Sequence, residues 1–247
     1  MSKVACVFSG KGGVGKTTFI LCLAGVLSNM KKKVLIVDAD LYNGGVATSL
    51  NKDVKKTLYH FHKEFKSDAN PDFREYTVKY NQYIDFISAP KTIKEASEIT
   101  FDSLDALIVE SNLLYDVILF DTNHVYNKFN DLLLKRMNHI FYLITNDVLD
   151  LKNSTNNLKA IRKFTDNIDI ILNYSIHFNR EYFILYDIKN ILQSNIDYII
   201  SNKFNYEDID NLIIKGEILT ISSQKWYDYK IFNLIAKSLI KEDKNGY

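Results

Sequence analysis

The chain has 247 residues with 31 Lys and Arg against 30 Asp and Glu, a formal net charge of +1. That balance gives no global basic field to suggest nucleic-acid binding, although a local patch stays open. The length suffices for one large α/β domain with an ample core, which we expect it to form, and no run of about 18 apolar residues marks a membrane span. The N-terminus lacks a charged and apolar leader, and Cys6 and Cys22 lack metal-site spacing, so a cytoplasmic protein with buried thiols is expected.

In chain order, Lys3 to Phe8 reads as a short buried strand, and Thr17 to Met30 as a helix with Phe19, Ile20, Leu23, Val26 and Leu27 on its apolar face. Between them runs Gly10-Lys11-Gly12-Gly13-Val14-Gly15-Lys16-Thr17-Thr18, which fits the phosphate-cradling pattern G-x-x-x-x-G-K-[ST]. Glycines permit turns closed to side chains, so successive N–H groups can converge on phosphate oxygens, and the helix N-terminus adds its positive dipole end. Lys16 is expected to reach the β- and γ-phosphates, the Thr17 hydroxyl to hold Mg²⁺, and Thr18 to donate to the α-phosphate. A glycine turn with a surface lysine would use the same residue types, but the flanking strand and helix are what a phosphate loop requires.

Lys31-Lys32-Lys33 closes the helix with favourable charge, and Val34 to Val37 forms a second buried strand running into Asp38-Ala39-Asp40. Ligands of open parallel sheets sit beyond the carboxyl ends of strands, so these aspartates are expected to face the loop. Asp38 would hold Mg²⁺ through water or brace the loop, and Asp40 would orient or activate an attacking water. A cap at a strand end is the alternative for either. Gly44-Gly45 breaks the chain, and residues 46 to 66 read as helical pieces with Leu50, Leu58, Phe61 and Phe65 inward. His60 and His62, two apart, face different sides of a helix and make no metal pair. Residues 67 to 80 are polar, include Pro71, and are expected to form a mobile excursion.

Tyr83 to Ser88 alternates as a strand ending at Ala89-Pro90, and Ser103 to Asn112 follows as a helix with Leu104, Leu107 and Ile108 inward. In Tyr115 to Thr122, four apolar residues precede Asp121, which is expected to bind Mg²⁺ through water at a strand end. His124, close behind, reads as structural. Strands at His139 to Thr145, Ile168 to Leu172 and Ile196 to Ile200 alternate with helices at Leu151 to Phe164, Tyr182 to Leu192 and 206 to 214. The alternation predicts a three-layer α/β fold with about seven mostly parallel strands and helices on both faces. Asn173, at a strand's carboxyl end, either pairs with an adenine edge or forms a turn. The last helix, Ser222 to Ile240, carries Trp226, Tyr229, Ile231, Phe232, Leu234, Ile235 and Leu239 and is expected to pack on the sheet. Membrane-surface binding is the alternative, with Lys225, Lys230, Lys237 and Lys241 against Asp228 and Glu242.

The Lys-Gly-Gly-Val-Gly-Lys-Thr-Thr segment, with Lys11 added to the general loop motif, resembles the deviant loop of the ParA and MinD ATPases, and Asp38-Ala39-Asp40 and Asp121 stand at matching distances. The resemblance implies ATP and Mg²⁺ as ligands, slow partner-stimulated hydrolysis, and an ATP-bound homodimer in which Lys11 reaches the partner's nucleotide. Within that family, Asp40 to Ala47, Ile87-Ser88-Ala89-Pro90, Glu95 to Thr100, Tyr115 to Thr122 and Asp150-Leu151-Lys152-Asn153 look most like the pilus-assembly branch called TadZ or CpaE. Asn123-His124 replaces the Pro or Gly usual after the second acidic motif. The resemblance implies a switch that positions or recruits a pilus or secretion machine, with peripheral placement at the membrane through partners. A DNA-partition ATPase, a membrane-positioning ATPase and a nonhydrolysing nucleotide-sensing scaffold are the alternatives.

Overall fold

Runs such as Val34-Leu35-Ile36-Val37 have no polar face, so strands built from them must be covered on both sides. The computed structural model describes residues 1–67, 71–174, 183–201, 206–223 and 228–241. In chain order the elements are β1 (Lys3–Ser9), α1 (Lys16–Asn29), β2 (Val34–Ala39), α2 (Val46–Ser49), α3 (Leu58–Lys66), a 3-10 turn (Phe73–Tyr76), β3 (Val78–Lys79), β4 (Ile84–Ile87), α4 (Ile93–Glu98), α5 (Phe101–Ser111) and β5 (Val117–Thr122). There follow α6 (Lys128–Arg136), β6 (His139–Ile144), α7 (Val148–Ile161), β7 (Ile168–Asn173), α8 (Leu185–Leu192), β8 (Tyr198–Ile200), α9 (Tyr206–Lys215), α10 (Leu219–Ser222) and α11 (Tyr229–Ile240).

The strands form one sheet in the order β3-β4-β2-β5-β1-β6-β7-β8. β3 runs antiparallel to β4, and the other pairings among the described residues are parallel. Alternation along each strand feeds two cores. Val4, Cys6 and Phe8 of β1 point to the layer of α3 to α8, whereas Ala5 and Val7 point to α1 and α11. Cys6 and Cys22 therefore lie buried on opposite faces as free thiols, and burial pushes both thiol pKa values up.

Three expectations need correction. The polar stretch expected to be a mobile excursion contains a turn and an edge strand, the eighth strand of the sheet among the described residues. Phe73 and Tyr76 anchor it in the core while Asp72 caps the turn by accepting from the Arg74 N–H, so two aromatics outweigh a polar composition. Residues 68–70 lie outside the described residues. The single helix expected from Ser222 to Ile240 is instead α10 and α11, with Ser223 in extended backbone (φ −140°, ψ 92°). Trp226, Lys225 and Glu242, and Tyr182 at the expected start of α8, lie outside the described residues. Finally, α7 begins at Val148 rather than Leu151, because the Asp147 side chain caps its first N–H groups.

The packing of α11 follows the sheet expectation: Phe232, Ile235, Ala236 and Leu239 are buried. Phe19 of α1 lies with its ring centroid 5.4 Å from Phe141 of β6 and 5.3 Å from Phe232, joining three elements in one aromatic cluster. Phe232→Ala should therefore cost about 3–5 kcal/mol in urea unfolding, whereas Leu234→Ala, on the exposed side, should change stability by less than about 0.5 kcal/mol.

Candidate functional site: a phosphate loop at the carboxyl edge of the sheet

The central strand β1 ends at Ser9 and α1 begins at Lys16, so the glycine-rich segment turns at the sheet's carboxyl edge. Gly13 (φ 73°) and Gly15 (φ 92°) occupy left-handed backbone that side chains disfavour. Gly15 is the residue before α1, and no side chain caps that helix. Lys16 is buried, and its ammonium donates to the Ser9 Oγ at 3.3 Å. Ser9 Oγ in turn donates to the Lys11 carbonyl at 2.7 Å. Burial lowers the Lys16 pKa, while the charges of Asp121, Asp40 and Asp150 oppose that shift.

Beneath the loop, Asp38 of β2 and Asp121 of β5 are register partners on neighbouring strands, each about 1% exposed. Asp38 lies inside its strand rather than beyond its end, because β2 continues to Ala39. Its Oδ2 accepts from the Val46 N–H at 3.0 Å, and Asp121 Oδ2 accepts from the Thr17 hydroxyl at 2.6 Å. The Oδ1 atoms of both carboxylates are buried without a partner among the described residues. Such oxygens are costly to bury unsatisfied, and burial pushes both pKa values up, that of Asp121 to about 6. For Asp38 the neighbouring Asp121 charge adds to the effect.

These orphaned oxygens, with Thr17 Oγ, form a hard oxygen donor set that fits Mg²⁺. Among the described residues no group of three or more His, Cys, Asp or Glu forms a metal cluster. Asp40, half-buried beyond β2, accepts the Asn43 N–H through its own carbonyl at 3.2 Å and its Oδ1 at 3.3 Å, so both aspartates also carry backbone hydrogen bonds. Gly44 is a packing requirement as well as a break: a β-carbon there would meet Ala89 Cβ at 2.2 Å and Asp38 Oδ2 at 2.9 Å.

The rest of the loop rests on other strand ends. Lys11 Nζ pairs with Asp147 Oδ1 at 3.3 Å. Burial works against the Asp147 carboxylate, but the N–H groups of Asp150 and Leu149 and the Lys11 ammonium outweigh it and hold its pKa below the usual range. Asp150 is fully buried and accepts from the Thr145 N–H at 2.6 Å and the Thr145 hydroxyl at 2.8 Å. The amide of Asn153 donates to the Gly10 carbonyl at 3.4 Å, and that of Asn173 to the Val14 carbonyl at 2.9 Å. Asn173 thus braces the loop. Thr18 is half-buried and lines a small cleft with Leu21, Cys22 and Ser49. His124, read from sequence as structural, stands exposed with its ring against Gly12. His60 and His62 are engaged elsewhere: the His60 ring bonds Thr57 before α3, and His62 Nδ1 lies 3.1 Å from Ser103 Oγ.

Sequence reasoning missed Ser9, Asp147 and Asp150. The signal was present for Asp147, since Asn146-Asp147 follows the strand beside β1, and ligands gather where carboxyl ends of neighbouring strands meet.

A strand, a glycine turn and a helix N-terminus at the carboxyl edge of a parallel sheet, with acidic residues on the adjoining strands, define the phosphate-loop NTPase fold. The chain belongs to the AAA domain family, whose model matches residues 2–178. The structure resembles that of a ParA family ATPase from Chlorobium tepidum, with a TM-score of 0.85 at 20% identity, covering 96% of this chain and 99% of the other. It also resembles the septum site-determining protein MinD from Pyrococcus horikoshii, complexed with Mg-ADP, with a TM-score of 0.81 at 18% identity over 99% of this chain and 97% of the other. In sequence, 118 residues are 28% identical to an uncharacterized ATP-binding protein of Methanocaldococcus jannaschii, a span of 48% of this chain and 43% of that protein's length.

The buried Asp121 charge makes a pH-dependent prediction. Between the ordinary 3.8 and about 6, the unfolded chain ionises this group before the folded one does. Its contribution to stability therefore falls as pH rises through that window and stays low above it. Asp121→Asn keeps an acceptor for Thr17, so the nucleotide-free, metal-free variant should melt above wild type at about pH 7.5, with the advantage shrinking at about pH 4.5. An equal advantage at both values in scanning calorimetry would mean that this carboxylate ionises normally.

Proposed function

We propose that the chain is an ATP-binding and ATP-hydrolysing dimerisation switch that positions or recruits a cellular assembly. The observation that carries this reading is the pair of buried, unpartnered carboxylate oxygens of Asp38 and Asp121 beside Thr17, under a glycine loop with no side-chain cap on α1. In this reading the N–H groups of Gly10, Gly12, Gly13, Val14 and Gly15 cradle the phosphates, and Lys16 neutralises the β- and γ-phosphate charge. Thr17, Asp38 and Asp121 hold Mg²⁺, which supplies charge neutralisation on the transferring phosphoryl group. Thr18 stays assigned to the α-phosphate, and Asn173 to the base side of the loop. Asp40 orients the attacking water.

Lys11 gives the switch its dimer dependence. Its ammonium is about one-third exposed and held in cis by Asp147, an ion pair worth only about 0–1 kcal/mol at the surface. Exchanging Asp147 for a phosphoryl group on a second copy therefore costs little and places a cation where negative charge develops. The resemblance of Asp40 to Ala47 and of Asp150 to Asn153 to the TadZ or CpaE branch supports a pilus or secretion machine as the assembly served. The packing of α11 into the core withdraws most of its apolar residues from any membrane surface, and no helix among the described residues is long and apolar enough to cross a membrane. That weighs against a membrane-positioning role through this helix.

With ATP and Mg²⁺, the wild-type chain should shift from monomer to dimer in light scattering. Lys11→Ala should bind ATP but stay monomeric, and Asp147→Asn should dimerise at lower ATP concentration because it frees Lys11. A Lys11→Ala protein that dimerises normally would end the cross-dimer assignment. Asp40→Ala should trap the ATP dimer by slowing water attack, and its use as bait in the source cells should retain pilus or secretion platform proteins. Retention of a DNA-binding adaptor with salt-sensitive bulk DNA would make the assembly a partition complex instead.

A further inference from the structure

The turn after β5 presents one side chain to the phosphate loop that the proposed machinery does not use. A β-carbon built on Gly12 would lie 3.3 Å from both Cε1 and Nδ1 of His124 and 3.8 Å from Nε2, so the ring edge faces the loop backbone. Neither ring nitrogen has a hydrogen-bond or ion-pair partner among the described residues. The imidazole is exposed at the mouth of the site, yet the turn that carries it is built from beneath. Thr122 Oγ donates to the Val7 carbonyl at 2.6 Å. Asn123 Oδ1 accepts from the Val125 N–H at 2.9 Å and from the Asn130 amide at 2.7 Å, and that amide also donates to the Val125 carbonyl at 2.6 Å. Asn127 accepts the Asn130 N–H at 2.9 Å, which fixes α6 against the same turn. Every polar group so engaged belongs to a neighbour of His124.

The loop's ends are distinguishable. Val14 is tied to Asn173 of β7 and Gly10 to α7, while Gly12 lies under a residue three positions beyond Asp121. In the reading above Thr17 and Asp121 would hold Mg²⁺ beside the terminal phosphates, and His124, three residues beyond Asp121 and over Gly12, stands on that side of the loop. An imidazole supplies one N–H donor when neutral and two when protonated, and a donor aimed at a phosphate oxygen makes a charge-assisted hydrogen bond.

We propose that His124 is a specificity-determining residue that donates a hydrogen bond to the terminal phosphate of a bound nucleoside triphosphate and so separates the triphosphate from the diphosphate. The assignment rests on the ATP-switch reading above. A β-carbon on Gly12 would crowd the ring and have it give by a few tenths of an ångström, so the glycine leaves the imidazole room at the loop.

The test is equilibrium binding by titration calorimetry, with Mg²⁺, of ADP and of the β,γ-imido analogue of ATP to wild type, His124→Ala and His124→Gln. His124→Ala should weaken the triphosphate analogue about tenfold while leaving ADP within about twofold, since a hydrogen bond to a charged group is lost only where the third phosphate exists. His124→Gln, whose amide can still donate, should recover part of the loss. Unchanged affinity for the analogue in His124→Ala, or equal weakening for both nucleotides, would overturn the assignment, the second outcome meaning a structural role. Wild type is titrated first, and its failure to bind either nucleotide would instead remove the ATP-switch reading and the assignment with it. Thermal melting of both variants confirms that the compared proteins are folded.

Discussion

Two carboxylates, placed side by side in the interior with one oxygen of each unsatisfied, are the constraint around which this molecule is arranged. Burying a carboxylate without a partner costs kilocalories, and burying two as neighbours raises the cost through their mutual repulsion. The parallel register Asp38↔Asp121 makes them neighbours, and a slip of one residue would turn either to the opposite face. The fold offsets part of the cost with the Thr17 hydroxyl from α1 and the Val46 N–H from α2. What it leaves unsatisfied is one oxygen of each carboxylate, the donors that the proposed reading gives to a cation. Gly44 and Gly45 belong to the same device, since side chains there would strike Asp38 and crowd Thr17.

The phosphate loop is surrounded by residues from several strand ends. β5 delivers Asp121 and the turn after it His124, the end of β6 leads to Asp147 before α7 and Asp150 on it, and β7 ends in Asn173. Asp147 meets Lys11, His124 lies against Gly12, Asn173 holds Val14 and Asp121 holds Thr17, so a change at Lys11 is felt first by α7 and a change at Gly12 by the turn before α6. Differences in strength matter here. The buried Asp150 network, with three hydrogen bonds from Thr145 and Ser154, is a fixed foundation. The Lys11 pair with Asp147 is about one-third exposed and weak enough to exchange. A rigid base beneath an exchangeable ion pair is what a nucleotide-dependent switch requires, because the bound ligand has then to outcompete only the weaker contact.

The chain itself specified the strand order's ingredients and the identity of the loop. Apolar tetrads, glycine spacing and Lys16-Thr17 follow local rules: period, backbone freedom and helix start. Asp38, Asp40 and Asp121 were legible as candidates because strand-terminal acids in a parallel sheet converge at one edge. Local pattern failed where distant residues decide the outcome. The edge strand Val78–Lys79 forms because Phe73 and Tyr76 find a core supplied by other elements, and the helix expected from Ser222 breaks at Ser223, one residue beyond the short α10 that holds Thr220 against the Cys22 carbonyl.

The same division holds at the site. The residue types that can hold phosphate and a cation are written along the chain, since each depends on its own backbone turn or strand end. Their arrangement is not. Whether Lys11 is held by Asp147, whether Asn173 braces Val14, whether His124 lies over Gly12, and whether Asp38 and Asp121 share one buried wall depend on which strands become neighbours and in what register. Those are properties of the assembled sheet, because each joins residues whose separation along the chain carries no information about their separation in space.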